Sequence, residues 1–369
     1  MKVLYLSDNT SGHNQRFLQK LVEAELEVWF LDPTSAYAPE GWPPRGVHWI
    51  QAKQKLPRNS DPATFASFLP EFLQVLEDLA PELIHAGPVG NCGYLTALSG
   101  FHPWLLTSWG SDILQAKQSV EWKQATQIAL SSADAFFCDC DAVRSRAKQL
   151  AEIPDSRIVQ FPWGIKKGLF GAVGPLPSGE GGEREPGTHL LLSTRSWEPL
   201  YAIDTLLQAF QQAYRVDSSL RLVLLGNGSE AGKVRDFVEL HGLNRVIRTP
   251  GTYGSEDMPK WFRLADTYVS CAQSDGTSVS LLEAMATGLP AVVTDIPSNR
   301  EWIEEGSNGW LAPAGSAGEF ADRLLRAARL SPQERKLFAE RNVRIVEQRA
   351  DWDQNFPRLL KMYQRLTSM

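Results

Sequence analysis

The sequence predicts an α/β protein of two domains, each built on a doubly wound parallel sheet. Three observations lead there. The chain has 369 residues, and single cores stop growing at roughly 250–300, so two domains are expected. Short apolar runs alternate with segments of helical spacing through both halves, the pattern of parallel strands covered by helices on both faces. Between the halves, Gly168–Gly187 reads GLFGAVGPLPSGEGGEREPG and keeps no apolar period, as an interdomain linker would. The expected division is an N-terminal domain over 1–168, a linker over 169–187, a C-terminal domain over 188–350, and a final segment, 351–369, that packs back on the first domain.

In chain order, the strands expected in the first half are Val3–Ser7, Glu27–Leu31, Val47–Gln51, Leu83–Ala86, Trp104–Ser108, Ala135–Cys138 and Ile158–Phe161. Phe65, Phe68, Leu69, Phe72, Leu73, Leu76 and Leu79 mark one amphipathic helical face between them. In the second half the strands are His189–Ser193, Arg221–Leu225, Val246–Arg248, Thr267–Ser270 and Ala291–Thr294. Helices fall at about Ile203–Ala213, Ser229–His241, Met258–Leu264 and Ser278–Ala286, and the tail from Ala317 is helical in pattern. Ligands of such sheets lie outside the carboxyl ends of the strands, so the two sheets are expected to face one cleft.

Composition narrows the function classes. The chain is 43% hydrophobic and 22% charged with a formal net charge of -6, which suits a globular protein and disfavours nucleic acid as its main partner. The opening MKVLYLSDNT turns polar at Ser7 and reads as a first strand, not a leader. No apolar run approaches the ~18 residues of a membrane span. Four cysteines lie outside any zinc spacing, so a reducing cytoplasm is the expected setting.

The segment richest in chemistry is Ser270–Gly288, SCAQSDGTSVSLLEAMATG. A strand ends, a polar loop carries Asp275 and Gly276, and a helix begins near Ser278. Its first N–H groups lack intrahelical partners and sit at the positive end of the dipole, which suits a phosphate. Asp275 and Glu283 are two helical turns apart, so both carboxylates could serve one ligand's hydroxyls. The plainer alternative stays open: Ser280-Leu-Leu-Glu283 fits a capping box, and Asp275 could merely shape the turn.

Asp275–Gly288 resembles the signature of retaining glycosyltransferases of the GT-B fold, specifically family four (glycosyl transferases group 1). That motif sets two carboxylates eight apart before Ala-Met-Ala-x-Gly-x-Pro. This chain has Glu283-Ala-Met-Ala-Thr-Gly288-Leu-Pro290 and, further on, Gly306-Ser-Asn-Gly309-Trp-Leu, which resembles that family's post-helix turn. The resemblance implies two Rossmann-like domains and places the ribose on Glu283 and the donor sugar on Asp275. It places the diphosphate on the backbone of Gly276, Thr277, Ser278 and Val279, and on Arg195 after Ser193-Thr. A guanidinium forks onto phosphate oxygens, so Arg is apt there. Asp275 and Arg195 are therefore the expected catalytic pair. Thr249-Pro-Gly251-Thr-Tyr253 falls at the base-recognition turn, where Tyr253 or the backbone would hold the base, and Gly12 falls in the turn after the first strand, which the resemblance places near the donor phosphates.

Three positions depart from the family. Asp275 stands where Glu is usual, Tyr201 where a Lys is usual, and Trp109 of Ser108-Trp-Gly-Ser-Asp112 where a His is usual. Trp109, Asp112 and His85 are the expected acceptor or sugar side of the cleft. The implied function is hexosyl transfer with retention from a UDP, GDP or ADP sugar to an unspecified acceptor, in polysaccharide or glycolipid synthesis. The implied enzyme takes no metal and no cofactor, and is cytoplasmic, with weak peripheral contact at the inner membrane face left open. A nucleotide-sugar epimerase or hydrolase of the same fold, or a non-catalytic partner, are the alternatives.

Three further motifs point elsewhere. Gly226-Asn-Gly228-Ser-Glu-Ala231 matches a dinucleotide fingerprint but lacks an acidic strand end ~20 residues later. Asp139-Cys-Asp141 has the form of a metal-binding pair yet follows a strand of a doubly wound sheet. Arg45–Arg58, with Trp49, is locally basic, as a membrane-facing strip or an ordinary strand and loop would be.

Overall fold

The computed structural model describes residues 1–34, 41–57, 60–115, 119–165, 169–170, 185–254 and 257–368. Among these, the chain forms two compact units, Met1–Phe161 with Gln354–Met369, and Pro162–Asp353. Most of the Gly168–Gly187 stretch lies outside the described residues.

The first unit holds a seven-stranded parallel sheet of β1 (Lys2–Leu6), β2 (Glu27–Leu31), β3 (Val47–Ile50), β4 (Leu83–Ala86), β5 (Trp104–Thr107), β6 (Ala135–Cys138) and β7 (Ile158–Gln160), in the order β3-β2-β1-β4-β5-β6-β7. Strands β4, β5 and β6 are buried at every residue, which is why they read as unbroken apolar runs. The expected amphipathic face at Phe65–Leu79 belongs to two helices, Pro62–Ala66 and Leu69–Leu79. Pro70 has no N–H to give, so it opens a helix and does not continue one. The last helix, Pro357–Thr367, buries Leu359, Met362, Tyr363 and Leu366 and lies against β4, β6 and β7.

The second unit holds a six-stranded parallel sheet of β8 (His189–Ser193), β9 (Leu220–Leu225), β10 (Ile247–Gly251), β11 (Thr267–Ser270), β12 (Ala291–Thr294) and β13 (Gly309–Ala312), ordered β10-β9-β8-β11-β12-β13. Alternate residues serve opposite faces. Leu222, Leu224 and Val292 enter one apolar cluster, while Val223, Leu225, Ala291 and Val293 enter the other. That is the period of two a strand requires, with helices on both sides. Strand β13 was not expected. Its Gly309 sits so close to β12 that an added Cβ would lie 2.6 Å from the Ala291 carbonyl oxygen, so the apparent turn glycine is a sheet-packing glycine. Where the chain enters and leaves this unit, Ile165 pairs with Asp351, and Trp163 stacks on Trp352 with centroids 6.3 Å apart.

Candidate functional site

In the second sheet the strand order reverses between β8 and β11, so the loops leaving those two strands diverge and open a crevice at their carboxyl ends. Arg195 follows β8 and reaches into it. Its Nη2 lies 2.8 Å from Asp275 Oδ2. Its Nη1 donates to Ser278 Oγ at 3.0 Å and Ser280 Oγ at 3.2 Å. Tyr268 of β11 bonds Ser280 Oγ at 2.7 Å. The Tyr201 ring covers the guanidinium, its centroid 4.1 Å from Cζ. Arg195 Nε, Thr194 Oγ1 and Asp275 Oδ2 are buried without an aligned hydrogen bond, although Asp275 Oδ2 is ion-paired with Arg195 and Thr194 interacts with Tyr268.

Charge in this cluster is balanced but not saturated. Burial raises the Asp275 carboxyl above its ordinary range, and the Arg195 charge pulls it partway back. Burial acts to lower Arg195, but Asp275, Tyr268 and Tyr201 outweigh it, so the guanidinium stays protonated. The helix Val279–Ala286 starts here. Ser278 is its N-cap, accepting from Leu281 N at 3.4 Å. The capping-box alternative built on Ser280 is thereby corrected: Ser280 lies inside the first turn, where its hydroxyl turns to Arg195 and Tyr268. Gly276, Thr277 and Ser278 are buried, Val279 half-buried. Glu283 is half-buried on the same helix, one turn beyond Val279.

The neighbouring strand ends are tied to this loop through the backbone. Trp197 N donates to Asn227 O at 3.0 Å, Glu230 N to Trp197 O at 2.9 Å, and Gly226 N to Gly251 O at 2.9 Å. Two glycines are obligatory for that approach. A Cβ on Gly226, at φ +132°, would lie 2.7 Å from Arg195 O, and one on Gly228 would lie 2.4 Å from Trp197 O. The fingerprint-like Gly226-Asn-Gly228 thus buttresses the arginine loop. Beside it lies a cavity of about 640 Å³ lined by Trp197, Asn227, Arg235, Arg248 and Gly251 among others. Tyr253 is not one of its lining residues; its exposed ring packs edge-on against Trp261, centroids 5.1 Å apart.

In the first unit the order reverses between β1 and β4. Gly12 opens the helix Gly12–Glu23 behind the N-cap Ser11, and a Cβ there would meet nothing within 4 Å. The polar centre of this end is Asp8, a residue the motifs did not single out. It accepts from Asn91 Nδ2 at 2.7 Å and Asn9 Nδ2 at 3.0 Å. Burial, with Asp32 and Asp112 nearby, pushes its carboxyl up to about 6. Trp109 is half-buried, its ring 6.2 Å from that of exposed His13.

One expectation for this end is corrected. His85 lines no opening: it is fully buried in β4, between Thr107 Oγ1 and the Tyr363 hydroxyl, with the Tyr5 ring 4.6 Å away. The cause is the terminal helix, which brings Tyr363 over the strand. Burial holds this imidazole neutral, its pKa lowered to about 3. Asp112 is a loop clamp. Oδ1 accepts from Ser108 Oγ at 2.7 Å and Trp109 N at 3.0 Å, and Oδ2 from Val89 N at 2.9 Å.

Comparison with known proteins agrees with the two halves. Residues 188–329 match the model described as Glycosyl transferases group 1, and residues 2–140 the one described as Glycosyl transferase 4-like. The chain belongs to the group 1 glycosyltransferases. An uncharacterised glycosyltransferase of Methanocaldococcus jannaschii is 23% identical over 79% of this chain and 78% of its own length. The GtfA subunit of a UDP-N-acetylglucosamine–peptide N-acetylglucosaminyltransferase of Streptococcus gordonii is 32% identical over 34% of this chain, but that match spans only 24% of the subunit. Among solved structures, a sucrose-phosphate synthase of Thermosynechococcus elongatus superposes with TM-score 0.82 at 17% identity over all of both chains. Anabaena HepE in complex with UDP gives 0.76 at 15% identity, over 99% of this chain and 100% of that one. The fold is GT-B. No helix among the described residues is long and apolar enough to cross a membrane.

Proposed function

We propose that the chain transfers a hexosyl group, with retention and without a metal, from a nucleoside-diphosphate sugar to an acceptor hydroxyl. The observation that carries this is the Arg195 cluster: a protonated, nearly buried guanidinium among hydroxyls, at a helix N-terminus and a topological switch point. Such a cluster is built for an anion. In the reaction the bond from the anomeric carbon to the diphosphate breaks and one to the acceptor oxygen forms on the same face. The acceptor's proton passes to the departing phosphate oxygen. Arg195 and the free N–H groups of the helix meet the charge that develops there, which is where preorganised donors contribute most. Asp275, shorter than Glu and already against Arg195, is placed to accept from a sugar hydroxyl. Glu283 would take the ribose, and the cavity beside Trp197 the base, with Thr249–Gly251 at its rim.

A thermal-shift panel of UDP, GDP and ADP tests the reading, because a ligand that binds only the native chain raises its melting temperature. HepE was solved with UDP, which makes UDP the first candidate. A shift with one base and loss of that shift in Glu283→Ala is expected; no shift with any of the three refutes the assignment. Product released only when an acceptor is added separates a transferase from a hydrolase or epimerase, and product that keeps the donor's anomeric configuration, unaffected by EDTA, checks the rest.

A further inference from the structure

We infer that Tyr201 is the positioning residue of the phosphate site, the wall against which the Arg195 guanidinium is laid flat before any donor arrives. The inference rests on the nucleoside-diphosphate reading above. Aligned hydrogen bonds and the ion pair fix the guanidinium along one edge, Nη1 on Ser278 and Ser280 and Nη2 against Asp275, while Nε has no aligned partner. Contacts along one edge leave a planar group free to tip out of plane. The Tyr201 ring, 4.1 Å from Cζ, closes that freedom, and the attraction is strongest where water is excluded. The Arg195 side chain is 13% exposed.

An aromatic face does something a second carboxylate could not. It holds the cation by its ring face as well as through its hydroxyl, and, unlike a carboxylate, it adds no negative charge to repel a phosphate oxygen there. Tyr201 itself is held from both sides of the switch point. Tyr201 N donates to Glu198 O at 2.9 Å, and Gln273 N, from the loop after β11, donates to Leu200 O at 2.9 Å. The next residue, Ala202, is forced to φ +46°, a left-handed conformation that residues with a Cβ seldom adopt and that clusters where geometry is functionally constrained. The two loops thus set Tyr201, Tyr201 sets Arg195, and Arg195 meets the phosphate.

Tyr201 then affects the β-phosphate and leaves the base and ribose alone. Calorimetric titration of the full chain with UDP against UMP, and likewise the GDP/GMP and ADP/AMP pairs, reads that contact as a diphosphate preference. Tyr201→Leu, which keeps bulk but loses the ring face, should cut the preference roughly five- to tenfold while monophosphate affinity changes less than about twofold. Tyr201→Phe should hold the preference within about twofold of wild type. In an Arg195→Ala background Tyr201→Leu should cost nothing further, because the coupling runs through the arginine. A preference unchanged in Tyr201→Leu overturns the inference, as does an equal loss for mono- and diphosphate or full additivity with Arg195→Ala. A wild-type chain that binds none of the three pairs instead removes the nucleoside-diphosphate reading itself, and the inference with it.

Discussion

The ends of the two sheets share a strand order and differ in sign. Around the reversal between β1 and β4 the chain gathers Asp8, Asp32 and Asp112, whose hydrogen bonds go to the loops beside them. Around the reversal between β8 and β11 it sets Arg195, with buried polar atoms left unmatched. The first arrangement stiffens loops around acidic groups; the second is the anion site proposed above. One topology supports both because the backbone dictates where a crevice opens and the strand-end side chains dictate what enters it.

The sharpest way to break this contrast is Arg195→Ala. Transfer should fall by about 10²–10³-fold, more than donor affinity falls, because the group acts on charge that appears as the diphosphate leaves. Equal turnover in steady-state assays would remove the anion-site half of the comparison. Next comes Asp112→Ala, which strands Val89 N–H and Trp109 N–H; about 2–4 kcal/mol of stability should be lost in urea unfolding. A loss below about 0.5 kcal/mol would mean the clamp is ornamental. Glu283→Ala should weaken UDP binding about 10-fold, the worth of charged hydrogen bonds to two hydroxyls, and unchanged calorimetric affinity would move the ribose elsewhere.

A further test concerns acid. His85 has its folded pKa at about 3, below the ordinary 6.5. Between those values only the unfolded chain takes the proton, so stability falls as pH drops, by at most about 1.4 kcal/mol per unit. Asp8 is raised to about 6 from 3.8. Between those values only the folded chain takes the proton, so its contribution is full below pH ~4 and lost as pH rises through 6. The two oppose each other in the shared window. Asp8→Asn removes one side and mimics the protonated carboxyl, so wild type should gain stability relative to the variant from pH 6 to 4 and then level off. A gap that is constant with pH would show that Asp8 is not held in its protonated form.

Much of this was legible beforehand, for particular reasons. Buried parallel strands such as Leu83–Ala86 and Ala135–Cys138 are apolar on both faces, so their runs declare themselves. The helix at Val279 was marked by Gly276, by Ser278 and by the fixed spacing of Asp275 and Glu283. Arg195 was found through the family resemblance, which sets an Arg after Ser193-Thr. Tyr268, Ser280 and Trp197 were not, because a strand tyrosine, a helix serine and a loop tryptophan carry no spacing signal until the fold brings them to one point. Gly309 misled, since a glycine needed for close sheet packing reads like a turn.

The sequence by itself determined the alternation of strands and helices, the division into two α/β units, and the loop and helix that bear the paired carboxylates. These are local, written in periodicity, caps and neighbours along the chain. The tertiary structure alone decided that His85 is sealed beneath Tyr363, that Asp112 ties the loops at Val89 and Trp109 together, and that the Tyr201 ring lies over the Arg195 guanidinium. Each of those depends on side chains from separate segments of the chain meeting at one place. No local pattern encodes such a meeting, because burial, pairing and charge are set by what the folded chain brings alongside.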